Sequence, residues 1–198
     1  MRRVNYASGF TLIEMIVAMA IFAILVALTV PSMRTWIANA KVRSVADGLQ
    51  NGIRLAQAES LRRSRQVVFS LTNNPNPGGS AGFTASGTGY YWAIKTIPAM
   101  VDSSETAEFI SSGVLSAASG TVTVQGPAEI CFNSVGRLVA NASTGVTGGS
   151  CGTPANTTHY SITVTGADHP LQVNVALGGQ VHLCDPSQTL SASNPYGC

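Results

Sequence analysis

The 198-residue chain contains few charged side chains. Only 10% of its residues are Asp, Glu, Lys or Arg, against about 25% in an average soluble domain. A free cytosolic enzyme is therefore not expected. The apolar share of 45% is too high for a disordered chain. The length suits one globular domain with an appendage.

The chain also lacks the residue clusters that catalysis and metal binding require. Its histidines, His159, His169 and His182, are scattered and show no obvious catalytic pairing with a carboxylate or a nucleophile in the sequence. No CxxC pair occurs, so we expect no metal site. Residues 78–82 fit G-x-S-x-G around Ser80, but a Pro- and Asn-rich loop precedes them where a nucleophile elbow needs a strand. We expect neither an enzyme nor a cofactor.

The few charges are unevenly distributed. Residues 34–65 hold seven basic and two acidic residues, a net charge of +5, whereas residues 66–198 hold two basic and six acidic ones, a net charge of −4. Domains that bind nucleic acids usually carry a positive charge, because neutralising phosphates supplies most of the affinity. DNA is therefore not an expected partner of residues 66–198.

One long apolar segment lies near the N-terminus. Residues 10–33 read FTLIEMIVAMAIFAILVALTVPSM, and a helix of that length crosses a hydrocarbon core of about 30 Å. Arg2 and Arg3 precede it, which places the N-terminus in the cytoplasm and the rest of the chain outside. A cleaved secretory signal with a cleavage site at residues 38–40 is the alternative. The length of the segment and Glu14 inside it favour a membrane anchor.

Residues 8–14, SGFTLIE, resemble the N-terminal motif of type IV prepilins and type II secretion pseudopilins. In that family a short basic leader ends at a glycine, so residues 1–9 would be the leader. By this resemblance, a prepilin peptidase cuts between Gly9 and Phe10 and methylates the new amine of Phe10. Removing the leader leaves nine basic and nine acidic residues, so the mature chain would be neutral.

Two residues of the apolar segment acquire roles through this resemblance. Glu14 would be the fifth residue of the mature chain. A carboxylate in an apolar helix needs a partner, and the amine of Phe10 in a neighbouring subunit would supply it and set the register of assembly. Pro31 removes one helical hydrogen bond and favours a kink, and in pilins a proline here accompanies local melting of the helix in the filament.

The helical pattern continues through residues 34–65, which we expect to form an amphipathic continuation of the same helix. One apolar stripe follows the helical period and should pack on the rest of the protein. It comprises Val42, Val45, Ala46, Leu49, Ile53 and Ala56. Arginines off the stripe should face solvent or other subunits; they are Arg43, Arg54, Arg62 and Arg63.

Residues 66–198 change to β-branched and aromatic runs separated by Gly, Pro, Asn and Ser, which predicts a β-rich head. The predicted strands are 67–71, 90–95, 122–124, 130–132, 137–139, 160–164, 171–176 and 180–184. A long helix covering an antiparallel sheet is an α+β arrangement, and it is the plan of the pilin fold. The head resembles the FimT/GspH-type minor pilin family at residues 49–70, 130–138 and 178–186.

Four cysteines in an exported domain suggest two disulfides, for which three pairings exist. We favour Cys131 with Cys151, which would staple the loop after the strand at residue 130. We also favour Cys184 with Cys198, which would tie the chain end to the last strand, as members of the resembled family often do.

The resemblance implies a structural protein. We expect a minor pilin of a type IV pilus that helps to initiate, prime or cap filament assembly. It would be held in the inner membrane by a single span, with an extracytoplasmic head, before it enters the filament. The implied partners are other major and minor pilins, the prepilin peptidase and the inner-membrane assembly platform. A minor pseudopilin of a type II secretion system is the alternative.

A DNA-binding competence pilin for natural transformation is a further alternative. Some FimT-like pilins bind DNA through a C-terminal G-R-x-R motif, which resembles residues 179–182 here. Gln180 and His182 replace both arginines, and a histidine is mostly uncharged at pH 7. Arg137 is a lone cation and does not replace a basic patch. We therefore expect no DNA binding.

Overall fold

The computed structural model describes residues 9–79, 82–98, 106–115 and 122–198. Within these ranges one helix precedes nine strands, which confirms the predicted α+β class. The elements are α1 (Leu12–Arg63), β1 (Val67–Thr72), β2 (Tyr91–Thr96), β3 (Phe109–Val114), β4 (Val122–Gln125), β5 (Glu129–Phe132), β6 (Leu138–Val139), β7 (Thr157–Val164), β8 (Leu171–Ala176) and β9 (Val181–Cys184).

Helix α1 runs without interruption over 52 residues, a length of about 78 Å. Position 31 lies inside it. Ser64 ends the helix in a left-handed conformation with φ of 52°, and its N–H donates to the carbonyl of Leu61. Among the described residues, α1 is the helix long and apolar enough to cross a membrane.

The head contains two antiparallel sheets where the sequence predicted one. A five-stranded sheet has the order β3-β2-β1-β5-β6, and a four-stranded sheet has the order β4-β7-β8-β9. Strand β4 pairs with β7, with Val122 opposite Val164. Gly126 and Pro127 stand between β4 and β5 and let the chain pass from one sheet to the other, because proline cannot donate to a strand ladder.

Every predicted strand overlaps an observed one, but β3 was missed. Its sequence, FISSGV, places two serines and a glycine in the middle of the strand, and glycine in particular is depleted in strands. Strand β3 lies at the edge of the five-stranded sheet and is largely exposed. Strand β3 pairs with β2, with Gly113 opposite Trp92. This pairing stabilises an extended conformation that the local sequence alone does not favour.

The core lies between α1 and both sheets. The predicted apolar stripe of α1 is buried throughout: no member is more than 3% exposed. It meets the inner face of the five-stranded sheet, where Phe69 and Ile94 are fully buried, and that of the four-stranded sheet, where Tyr160 is fully buried. Hydrophobic burial of this kind, more than helix propensity, holds such a helix in place.

Candidate assembly helix and its attachment to the head

The N-terminal part of α1 has no packing partner in the described structure. All residues from 9 to 30 are exposed, including apolar ones such as Phe10 at 81% and Leu28 at 72%. Gly9 and Phe10, the residues of the predicted cleavage site, lie just before the helix. The other residues of the predicted leader, 1–8, lie outside the described ranges. Such a large apolar surface requires lipid or other protein chains to cover it.

Thr11 is a capping residue that the sequence analysis missed. Its side-chain hydroxyl accepts a hydrogen bond from the backbone N–H of Glu14 at 3.3 Å, and its backbone is extended. Thr11 and Glu14 have the T-x-x-E spacing of a capping box, which could have identified the start of the helix. Glu14 therefore lies in the first turn of α1, where its carboxylate also interacts favourably with the helix dipole.

The C-terminal part of α1 approaches the five-stranded sheet most closely at Gly52. A Cβ atom at this position would lie 2.9 Å from Cε2 of Trp92 and 3.1 Å from Cε2 of Phe69. The two rings stack with their centroids 6.0 Å apart. Glycine at position 52 thus lets the helix backbone rest on an aromatic pair.

Polar contacts fix the last turns of α1. Glu59 accepts hydrogen bonds from Arg62 at 2.6 Å and from Arg63 at 2.9 Å. These bonds lower the pKa of Glu59 to about 2. Arg63 also pairs with Glu108, which directly precedes β3, at 2.7 Å. The sequence analysis expected these arginines to face solvent or other subunits, but Arg63 instead links the helix to the head.

A second attachment joins α1 to the turn between β7 and β8. The side-chain amide of Asn39 donates to the carboxylate of Asp168 at 2.6 Å. Its carbonyl oxygen accepts from the backbone N–H groups of Asp168 and His169. The bond from Asn39 lowers the pKa of Asp168. Residues 129 positions apart in sequence form this contact, so no local pattern could have predicted it.

The four cysteines form two disulfides. Cys131 of β5 is joined to Cys151, and Cys184 of β9 is joined to Cys198. The first closes a loop that covers the outer face of the five-stranded sheet, where both of its cysteines are buried. The second brings the chain end beside β9, and the N–H of Cys198 donates to the carbonyl of Asp185 at 3.2 Å.

The residues compared with the G-R-x-R motif lie in the turn between β8 and β9 and at the start of β9. Gly179 has a φ of +89°, and a Cβ there would clash with the carbonyl oxygen of Gly136. Gln180 and His182 are exposed. Arg54 of α1 donates to the carbonyl of Val181 at 3.0 Å. The sequence analysis expected Arg54 to face solvent or other subunits, but its guanidinium instead contacts strand β9. That the head does not bind DNA stays a prediction.

Comparison with known proteins agrees with these features. Residues 4–30 match the model of the prokaryotic N-terminal methylation motif. The structure is similar to the crystal structure of the type IV minor pilin FimU of Pseudomonas aeruginosa, with a TM-score of 0.50 and 16% identity over 80% of this chain and 96% of that one. The chain has the fold of a type IV minor pilin.

Two further pilin-fold structures are similar at lower scores. The minor pseudopilin EpsH of the Vibrio cholerae type 2 secretion system aligns with 75% of this chain and 99% of its own at 9% identity and a TM-score of 0.46. Escherichia coli GspH aligns with 78% of this chain and 94% of its own at 10% identity and a TM-score of 0.45. No curated protein sequence matches the chain.

Proposed function

We propose that this pilin-fold protein is a minor pilin that helps to initiate, prime or cap assembly of a type IV pilus. The observation that carries the proposal is the contrast between the two parts of α1. Residues 42–56 bury their apolar stripe in the head, whereas every residue from 9 to 30 is exposed. A span of this length can lie in a bilayer before assembly and among the helices of neighbouring subunits afterwards.

The N-terminal methylation motif supports a defined processing step. Prepilin peptidase would cut between Gly9 and Phe10 on the cytoplasmic side and methylate the amine of Phe10. The apolar span, residues 10–33, would then anchor an extracytoplasmic head in the inner membrane until the assembly platform inserts the subunit among other major and minor pilins.

Glu14 would hold the subunit in register. Its carboxylate is exposed in the first turn of α1, and once the apolar helix is buried among others it needs a cationic partner. The amine of Phe10 in a neighbouring subunit is such a partner. Pro31 would allow the helix to bend or melt locally when the subunit packs into the filament.

Deletion of the gene tests the proposal. Major pilin sheared from the cell surface is measured in the host, with and without pilus retraction. We expect surface pilin to fall in the deletion strain and to return in part when retraction is blocked, because initiation would be less frequent but elongation intact. Unchanged surface pilin would contradict the role in pilus assembly and favour the alternative role in type II secretion.

A further inference from the structure

A polar groove lies on the outer face of the five-stranded sheet, away from α1. It has a volume of about 560 Å³, within the range of small-molecule sites. One wall is formed by residues 72–74 and 82–86, the other by Gly145 and Thr147, and Lys95 of β2 also lines it. None of the contacts that attach the helix to the head involves this groove.

The walls of the groove are held together by hydrogen bonds. Thr72 donates through its hydroxyl to the carbonyl of Thr84 at 2.8 Å, and Asn74 donates through its amide to the carbonyl of Gly82 at 2.9 Å. The N–H of Ala85 donates to the carbonyl of Thr147 across the groove at 3.0 Å. The second wall belongs to the loop closed by the first disulfide. A site with fixed walls loses little entropy when it binds a ligand.

Lys95 is the one charged side chain among the described residues that line the groove. Its side chain is half-buried, and its Nζ lies 5.3 Å from the centroid of the Phe83 ring, which is only 7% exposed. Among the described residues Nζ has no hydrogen bond or ion pair, and the described lining contains neither Asp nor Glu. The Phe83 face offers a modest attraction to the ammonium, which leaves its three N–H donors for a ligand.

The remaining lining is neutral and able to form hydrogen bonds. Asn73, Thr84 and Thr147 are exposed at the rim. A single cation among hydroxyl and amide groups matches a molecule with one negative charge and several hydroxyl groups. We propose that this groove binds an acidic sugar, with its carboxylate on Lys95 and its hydroxyls on the rim.

Galacturonate and galactose test the proposal because they differ only in the carboxylate. Each is titrated into the full-length, ¹⁵N-labelled protein in detergent micelles, and amide shifts are followed by NMR. We expect galacturonate to shift the amide signals of residues 72–74, 82–86, 95 and 145–147. It should also bind at least about tenfold more tightly than galactose, because galactose lacks the hydrogen bond between a carboxylate and the Lys95 ammonium. Equal binding of the two sugars, or no binding of galacturonate, to the wild-type protein would already overturn the proposal.

Two variants and a second anion complete the test. Lys95→Gln should reduce galacturonate affinity to that of galactose, whereas Lys41→Gln, which removes an exposed lysine of α1 far from the groove, should change nothing. Unreduced binding by a folded Lys95→Gln protein would contradict the role of the ammonium.

Inorganic phosphate should bind more weakly than galacturonate. Equal affinity would mean that the groove selects charge alone and would refute the assignment to a sugar. None of these outcomes depends on the role in pilus assembly.

Discussion

Glu129, the first residue of β5, carries a buried carboxyl group. Its Oε1 accepts a hydrogen bond from the Ser70 hydroxyl at 2.8 Å, whereas its Oε2 has no partner among the described residues. A Cβ at Gly149 would clash with the carboxyl group of Glu129, so the loop that contains Gly149 is packed directly on this group. Burial raises the pKa of Glu129, against smaller opposing effects of Thr144 and Ser70.

Because of Glu129, the free energy of unfolding should depend on pH. Well below pH 4.5, the ordinary pKa of a glutamic acid, Glu129 is protonated in both states and the folded state is not penalised. Between that value and the raised pKa of the folded state, the unfolded chain releases the proton first, so the free energy of unfolding falls as pH rises.

Glu129→Gln should abolish this decline. We expect thermal unfolding, followed by circular dichroism in detergent from pH 4 to 8, to show a falling melting temperature in the wild type and a flatter profile in the variant. Asp47→Asn, which neutralises an exposed carboxylate of α1, serves as the matched control and should keep the wild-type slope. Parallel profiles for Glu129→Gln and wild type would refute the assignment.

At the scale of elements, the helix was predictable and its attachments were not. Residues 42–56 show a 3.6-residue apolar period, and an apolar run precedes them. These two local patterns are enough to predict both parts of α1. Strand β3 depends on pairing with β2, and the contact of Asn39 with Asp168 depends on the complete fold. The division of the strands into two sheets likewise depends on long-range pairing, which local patterns do not specify.

The two glycines in the head-packed part of α1 allow a matched test of its packing. Gly52→Ala would place a methyl group 2.9 Å from the Trp92 ring, and we expect a loss of about 1–3 kcal/mol in the free energy of unfolding from overpacking. Gly48→Ala would meet Leu115 at an ordinary 3.8 Å and should stabilise the protein by up to about 1 kcal/mol through helix propensity. Denaturant unfolding of both variants measures the difference, and the same sign for both would contradict the packing described.

The two disulfides can be tested by their pairing and by their effect on stability. Peptide mapping under non-reducing conditions should recover Cys131 linked to Cys151 and Cys184 linked to Cys198. Replacing Cys184 and Cys198 together by serine should lower the free energy of unfolding by about 3 kcal/mol, because a loop of about 15 residues is no longer closed in the unfolded chain. A peptide that links Cys131 to Cys184 or Cys198 would refute both pairings.

At the scale of the whole molecule, one helix serves two environments. Its residues 42–56 are packed against the head, while residues 9–30 expose an apolar surface, which we propose is covered by lipid or by neighbouring subunits. The sequence motif around Gly9 and Phe10 predicted this organisation, because the motif, the apolar span and the amphipathic stripe follow one another in the chain. The groove around Lys95 could not be predicted, since it is assembled from four separate stretches of the chain.

The most direct test of the account is whether Glu14 is required for entry into the filament. A Glu14→Ala variant, expressed in the deletion strain beside wild type and a Met15→Leu control, is quantified in membranes and in sheared pili by immunoblot. We predict wild-type amounts of folded protein in the membrane but a strong loss from sheared pili for Glu14→Ala alone, because the buried amine of Phe10 would lack its counter-charge. Incorporation of Glu14→Ala at the wild-type level would contradict the account.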